Sequence, residues 1–281
     1  MRITLAAAML ALAGTAAGAA TLTVDGTDNI FKASSEPLTF FQGGTAPPFV
    51  DFTPGAGLVL TISSATGLID CCGAGPPIDS ATPGNRDADG DSPSGVFSAG
   101  PSTGIDASGG ISGMEVDGLS GFVAGLFVNT SAPPSGTAPA DLVYDTGGLS
   151  TSDAQFAPAL DQTFYIGDGL TGNGSGTVQE FLVPTGADRL YLGILDAGAF
   201  TGPPAFYDDN DGAFEVTLDI SAPSAIPLPA GGWLLIAGLG GLVALRRARG
   251  LGPPTTRTGR PDVAALSAST GRRCSATSRK P

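Results

Sequence analysis

Glycine and proline punctuate this chain so densely that its central part leaves no room for a long helix: 43 glycines and 23 prolines fall among 281 residues. A glycine in a helix interior costs about 1 kcal/mol relative to alanine and a proline about 3 kcal/mol. The elements must therefore be short and separated by turns. A hydrophobic share of 42% still provides for a folded core. Between residues 20 and 225 no segment sustains apolar residues at i, i+3 and i+4, whereas several short runs alternate or are rich in β-branched and aromatic residues. Strands are expected at Thr21–Asp25, Leu38–Phe41, Leu58–Ser63, Phe122–Val128, Thr163–Ile166, Thr177–Val183, Leu190–Leu195 and Ala213–Ile220. The last alternates cleanly, with Phe214, Val216, Leu218 and Ile220 on one face and Glu215, Thr217 and Asp219 on the other. This pattern predicts an all-β fold, a jelly-roll-like β-sandwich over residues 20–221.

The chain has no histidine, which removes Ser-His-Asp and Cys-His nucleophile pairs and every His-ligated metal site. Its three cysteines cannot build a disulfide framework, because Cys71 and Cys72 are adjacent and Cys274 lies far away in a basic tail. Charge is segregated. Residues 20–225 hold 25 of the 26 acidic side chains against Lys32, Arg86 and Arg189, while nine Lys or Arg follow Leu245. An acidic body repels phosphate, so nucleic acid is not expected as a partner, and divalent cations or neutral ligands are favoured.

The two ends read as addresses. Arg2 precedes the apolar run Ile3–Ala13, and the small residues from Gly14 to Ala19 supply an A-x-A exit, so residues 1–19 are expected to be a signal peptide cut by signal peptidase. Near the other end, Ile226 to Leu245 is an uncharged run followed by Arg246, Arg247 and Arg249. At about 1.5 Å per residue, a helix of that length crosses a hydrocarbon core of about 30 Å, with the arginines on the cytoplasmic side. Residues 222–249 are thus expected to hold a proline motif, a single transmembrane helix and an Arg cluster. Residues 250–281, rich in Ser, Thr, Arg, Gly and Pro, are expected to form a disordered basic tail.

The order of these three parts, Ile226-Pro227-Leu228-Pro229-Ala230, the apolar run and the Arg cluster, resembles the PEP-CTERM type of C-terminal sorting signal in its VPLPA form. The resemblance implies export in a Gram-negative bacterium and a transient stay in the inner membrane. It also implies cleavage near the proline motif by an exosortase-type transpeptidase and delivery to the cell surface or extracellular matrix. Pro227 and Pro229 fit that role physically, since they stop a helix from extending upstream and leave an extended, protease-accessible segment.

Three loops combine Asp or Asn with Gly: 84–95 (GNRDADGDSPSG), 167–176 (GDGLTGNGSG) and 196–212 (DAGAFTGPPAFYDDNDG). Such loops can bend hard oxygen ligands around a cation. The first, with Asp87, Asp89 and Asp91 alternating, lacks the bidentate Glu of an EF-hand and reads equally as a solvated turn; the second reads as a flexible connection. In the third, Asp196 and the run Asp208-Asp209-Asn210-Asp211 are expected to meet at one rim, where a calcium ion would relieve their mutual repulsion. The stretches Val183–Asp196 and Tyr207–Thr217 resemble the PA-I-type galactophilic lectins, whose calcium-bridged sugar site sits on a small β-sandwich. That resemblance makes Asp196, Asp209 and Asn210 side-chain calcium ligands, adds the Phe206 carbonyl, and implies a glycan or exopolysaccharide partner. A structural matrix protein without sugar binding is the alternative. A hydrolase using Asp209 and Glu215 ranks last, because Trp233, the single tryptophan, belongs to the anchor rather than to a sugar cleft. No enzymatic activity is expected.

Overall fold

A computed structural model of the chain describes residues 19–70, 78–79, 85–90 and 102–222. The first eight strands are β1 (Ala20–Asp25), β2 (Phe49–Asp51), β3 (Val59–Asp70), β4 (Asn85–Arg86), β5 (Thr103–Ile105), β6 (Met114–Val116), β7 (Ala124–Val128) and β8 (Leu142–Tyr144). There follow β9 (Gln155–Phe156), β10 (Thr163–Tyr165), β11 (Leu170–Gly172), β12 (Ser175–Val178), β13 (Glu180–Leu182), β14 (Arg189–Gly193), β15 (Thr201–Gly202) and β16 (Asp211–Ser221). Three single-turn 3-10 helices interrupt them, and the described residues form an all-β structure, consistent with a sandwich. Residues 1–18, Cys71 and Cys72, the motif Ile226–Ala230, the run to Leu245, Arg246, Arg247 and Arg249 lie outside the described residues. Among the described residues no helix is long and apolar enough to cross a membrane.

The largest sheet runs β1-β16-β3-β13-β9, with β4 also on β3; a second runs β10-β7-β14-β2, a third β15-β5-β6-β8, and β11 pairs with β12 as a hairpin. The alternation read in Ala213–Ile220 is real: Phe214, Val216, Leu218 and Ile220 are buried. β16 extends beyond that reading, from Asp211 to Ser221, between antiparallel β1 and β3. Its partner β3 is twice the expected length because Gly67, at φ 122°, allows a backbone approach no side chain would permit; a Cβ there would stand 2.2 Å from the Ala213 carbonyl oxygen.

Two expected strands differ. Leu38–Phe41 is irregular, and Phe41 is 65% exposed with its ring 5.0 Å from that of Phe206, so the end of this run closes over the 206 turn and the run joins no sheet. Thr177–Val183 divides between β12 and β13 at Gln179, which is fully buried; its backbone N–H turns to Gly169 O and its side-chain amide Nε2 donates to Thr151 O and Asp153 O, each at 2.8 Å.

A chain of aromatic rings carries the core from sheet to sheet. Phe127 and Phe164 stack at 5.1 Å in the second sheet, Phe164 meets Phe181 of the first at 5.4 Å, and Phe181 stacks on Phe156 at 5.5 Å. Tyr144 of the third sheet then lies 5.8 Å from Phe156 and 5.9 Å from Tyr165. Each such pair contributes about 0.5–1.5 kcal/mol beyond the area it buries. Gly125 in β7 makes room for this packing, since a Cβ there would stand 2.4 Å from Phe164 Cζ.

Candidate functional site

β14 belongs to the second sheet and β16 to the first, so the segment between them is an arch from sheet to sheet and not a hairpin loop. On the way it lays down β15, parallel to β5, at the edge of the third sheet. Three of its non-glycine residues take left-handed backbone conformations: Ala199 (φ 55°), Phe200 (φ 57°) and Phe206 (φ 71°). Each such residue costs of order 1–2 kcal/mol, so the surrounding packing must fix the arch in this shape.

The arch brings together the four residues expected as ligands. Asp196, Phe206 and Asp209 line one cavity of about 270 Å³, along with the turn at residues 197–200. Asn210 stands beside them, its Nδ2 donating to Asp196 Oδ2 at 2.9 Å and to Gly26 O at 2.8 Å. Its Oδ1 is buried and accepts no hydrogen bond. Asp196 is 4% exposed; Oδ1 accepts from the Ala197 N–H at 2.7 Å, and its own backbone N–H donates to the Tyr207 hydroxyl at 3.1 Å. Burial is the main cause that pushes the Asp196 carboxyl up to about 7; the Asn210 and Ala197 hydrogen bonds oppose it and the charge of Asp209 adds to it. Burial also raises Asp209, with Asp70 and Asp208 adding repulsion. The Phe206 carbonyl accepts a long bond from the Asp209 N–H, 3.3 Å.

The acidic run does not converge as a whole. Asp208 leaves the cavity, its Oδ1 accepting from the Gly44 N–H at 2.8 Å, and Asp211 enters the β16 ladder opposite Asp70. Glu215 stands on the exposed face of β16, bonded to the Thr23 hydroxyl at 2.6 Å, and does not line the cavity with Asp209. Among the described residues no group of three or more His, Cys, Asp or Glu side chains is arranged to hold a metal ion. Sequence reading missed Tyr207, fully buried beneath Asp196; an aromatic residue ahead of an Asp-Asp-Asn run was the available signal.

The other two acidic loops meet each other. Asp89, 7% exposed, accepts at Oδ1 from the Asp168 N–H (2.8 Å) and the Tyr165 hydroxyl (3.1 Å), and Asp87 Oδ2 accepts from Asn173 Nδ2 at 3.0 Å. Instead of a flexible connection, residues 167–176 start the β11–β12 hairpin, which Asp168 braces through the Leu170 and Gly174 N–H groups. Asp91 lies outside the described residues. No family model, curated protein or solved structure matches the chain.

Proposed function

We propose that this chain is an exported surface or matrix protein whose jelly-roll-like sandwich binds calcium at the arch cavity, through Asp196, Asp209, Asn210 and the Phe206 carbonyl. One observation carries the reading: the buried Asn210 Oδ1 accepts no hydrogen bond, on an amide that touches a buried carboxylate. A buried polar oxygen without a donor costs about 1–3 kcal/mol. A hard cation takes such oxygens together with carboxylates, and it would lift the penalty on Asp196 at the same time. Because Nδ2 now faces Asp196, the amide oxygen joins the same ion only when the Asn210 amide turns over.

Export and sorting rest on the sequence signals, residues 1–19 and the run from Ile226 to Arg249. The start of β1 at Ala20, the first residue after the expected cleavage, supports the first of these. A glycan would bind by completing the ion's oxygen shell, and the exposed ring of Phe41 against Phe206 at the cavity supplies an apolar surface for it. The test is thermal melting of the full chain in detergent. The melting temperature should rise in millimolar calcium and fall in chelator, with magnesium much less effective; equal melting in calcium and chelator would refute the site.

A further inference from the structure

The tip of the β11–β12 hairpin carries a reactive pair of residues. Gly172 pairs with Ser175, so Asn173 and Gly174 form the two-residue turn between the strands, and both are exposed. Of the chain's five asparagines, Asn173 alone precedes a glycine. The order matters chemically, because the backbone nitrogen that follows an asparagine can attack its side-chain amide carbon, and a side chain on that following residue shields the nitrogen. Gly174 has none, and among the described residues no atom lies within 4 Å of where its Cβ would stand. Carboxylates hold both reacting groups. The Gly174 N–H donates to Asp168 Oδ2 at 2.8 Å, and Asn173 Nδ2 donates to Asp87 Oδ2 at 3.0 Å. The other oxygen of Asp168 accepts from the Leu170 N–H at 2.8 Å, which fixes this carboxylate over the hairpin tip.

We propose that Asn173-Gly174 is a self-modifying site, at which Asp168 serves as the general base in converting Asn173 to aspartate and isoaspartate. A general base must stand within about 2.6–3.2 Å of the atom whose proton it takes, and Asp168 Oδ2 meets that requirement at the Gly174 nitrogen. As the bond from Gly174 N to Asn173 Cγ forms, the amide proton passes to Asp168. The Cγ–Nδ2 bond then breaks, the departing nitrogen takes that proton, and it leaves as ammonia. Water opens the resulting cyclic imide. Addition at Cγ restores the Gly174 peptide bond and leaves aspartate, whereas addition at the backbone carbonyl leaves isoaspartate, with one more methylene in the main chain of the turn. Either product replaces the Nδ2 donor to Asp87 by a carboxylate, so the tie between the hairpin tip and the 85–90 turn is lost as the protein ages.

The test is peptide mapping by mass spectrometry after timed incubation of the full chain in detergent between pH 6 and pH 8. The folded wild type should convert Asn173 to a mixture of aspartate and isoaspartate, ahead of Asn129, the exposed asparagine followed by threonine. A built-in base does not depend on hydroxide, so the wild-type rate should change little across this range. Asp168→Ser keeps an oxygen acceptor at the tip without the basic group; it should convert several-fold more slowly, at a rate that climbs in proportion to hydroxide. Asparagine is unsuitable at 168 because it would create a second Asn-Gly pair ahead of Gly169. An Asn173 that survives in the folded chain while the urea-unfolded chain converts would overturn the proposal, since the turn would then protect the amide. Conversion in Asp168→Ser as fast as in wild type would do the same, and so would aspartate without isoaspartate. Should Asp168→Ser fail to fold, the wild-type pH profile decides alone: a rate proportional to hydroxide excludes the internal base.

Discussion

Replacing Asp196 with asparagine keeps the outline of the side chain and removes its charge, with opposite expected consequences in calcium and in chelator. Asp196 is 4% exposed, and its carboxyl stands at about 7 against an ordinary 3.8. Since the folded-state pKa is raised, the native protein gains from this group fully below pH 3.8 and loses that gain progressively up to about pH 7. At about 1.4 kcal/mol per pKa unit, the ionised side chain destabilises the ion-free fold by roughly 3–4 kcal/mol at pH 8. Asparagine escapes that cost but must give up one acceptor, either to Ala197 N–H or to Asn210 Nδ2, for about 1–2 kcal/mol. In chelator, Asp196→Asn should therefore be more stable than wild type by about 1–3 kcal/mol at pH 8 and about equal to it at pH 5, where the two costs cancel. Calcium at 5 mM should stabilise the wild type at pH 8 by about 1–2 kcal/mol for a dissociation constant of roughly 0.1–1 mM, and should leave the variant unmoved. Urea unfolding of the full chain followed by circular dichroism reads all four conditions. A variant less stable than wild type at both pH values in chelator would refute the buried-charge reasoning, and a variant that keeps the calcium shift would remove Asp196 from the ligand set.

Tyr207→Phe should cost about 1–3 kcal/mol by leaving the Asp196 N–H without its acceptor, and should weaken the calcium-dependent rise in melting temperature. In the core, Gly125→Ala should destabilise by about 1–3 kcal/mol through collision with Phe164. Phe164→Leu should relieve part of that collision, so that a double-mutant cycle by urea unfolding shows a favourable coupling of at least about 0.5 kcal/mol, where strict additivity would contradict the packing account. Mass spectrometry of the protein recovered from the cell surface should find an N-terminus at or near Ala20 and a C-terminus near Pro229; a surface form that retains Cys274 would contradict sorting cleavage.

β16 was legible because its four inward residues alternate without interruption and its ends are marked by Asp211-Gly212 and by Pro223. β3 was half legible: Leu60 and Ile62 mark its inward face, but Ser64, Thr66 and Gly67 lack the apolar marks of a strand, and their pairing with β16, past a register shift at Ser63, makes them one. β5, β6 and β8 have three residues each, too few for a period to show. Leu38–Phe41 misled because Phe41 closes over a turn and Phe40 packs on the core without a ladder, which local pattern cannot distinguish from lining a sheet. The approach of Asp196 to Asp209 and Asn210 was readable because these residues follow one strand and precede the next. The departure of Asp208 toward Gly44 was not readable, and neither was the meeting of Asp89 with Asp168, since both depend on contacts between residues far apart in sequence.

The placement of β16 also determines how the protein bears force. The strand starts at Asp211, directly after the arch, and ends at Ser221. At about 3.3 Å per residue these ends lie roughly 30 Å apart. A ligand held at the cavity and an attachment beyond Ser221 would therefore pull on opposite ends of a single strand, along its own axis. Its ladders to β1 and β3 run across that axis. They meet such a load in shear, with the hydrogen bonds of both neighbours strained together and none exposed to be peeled away first.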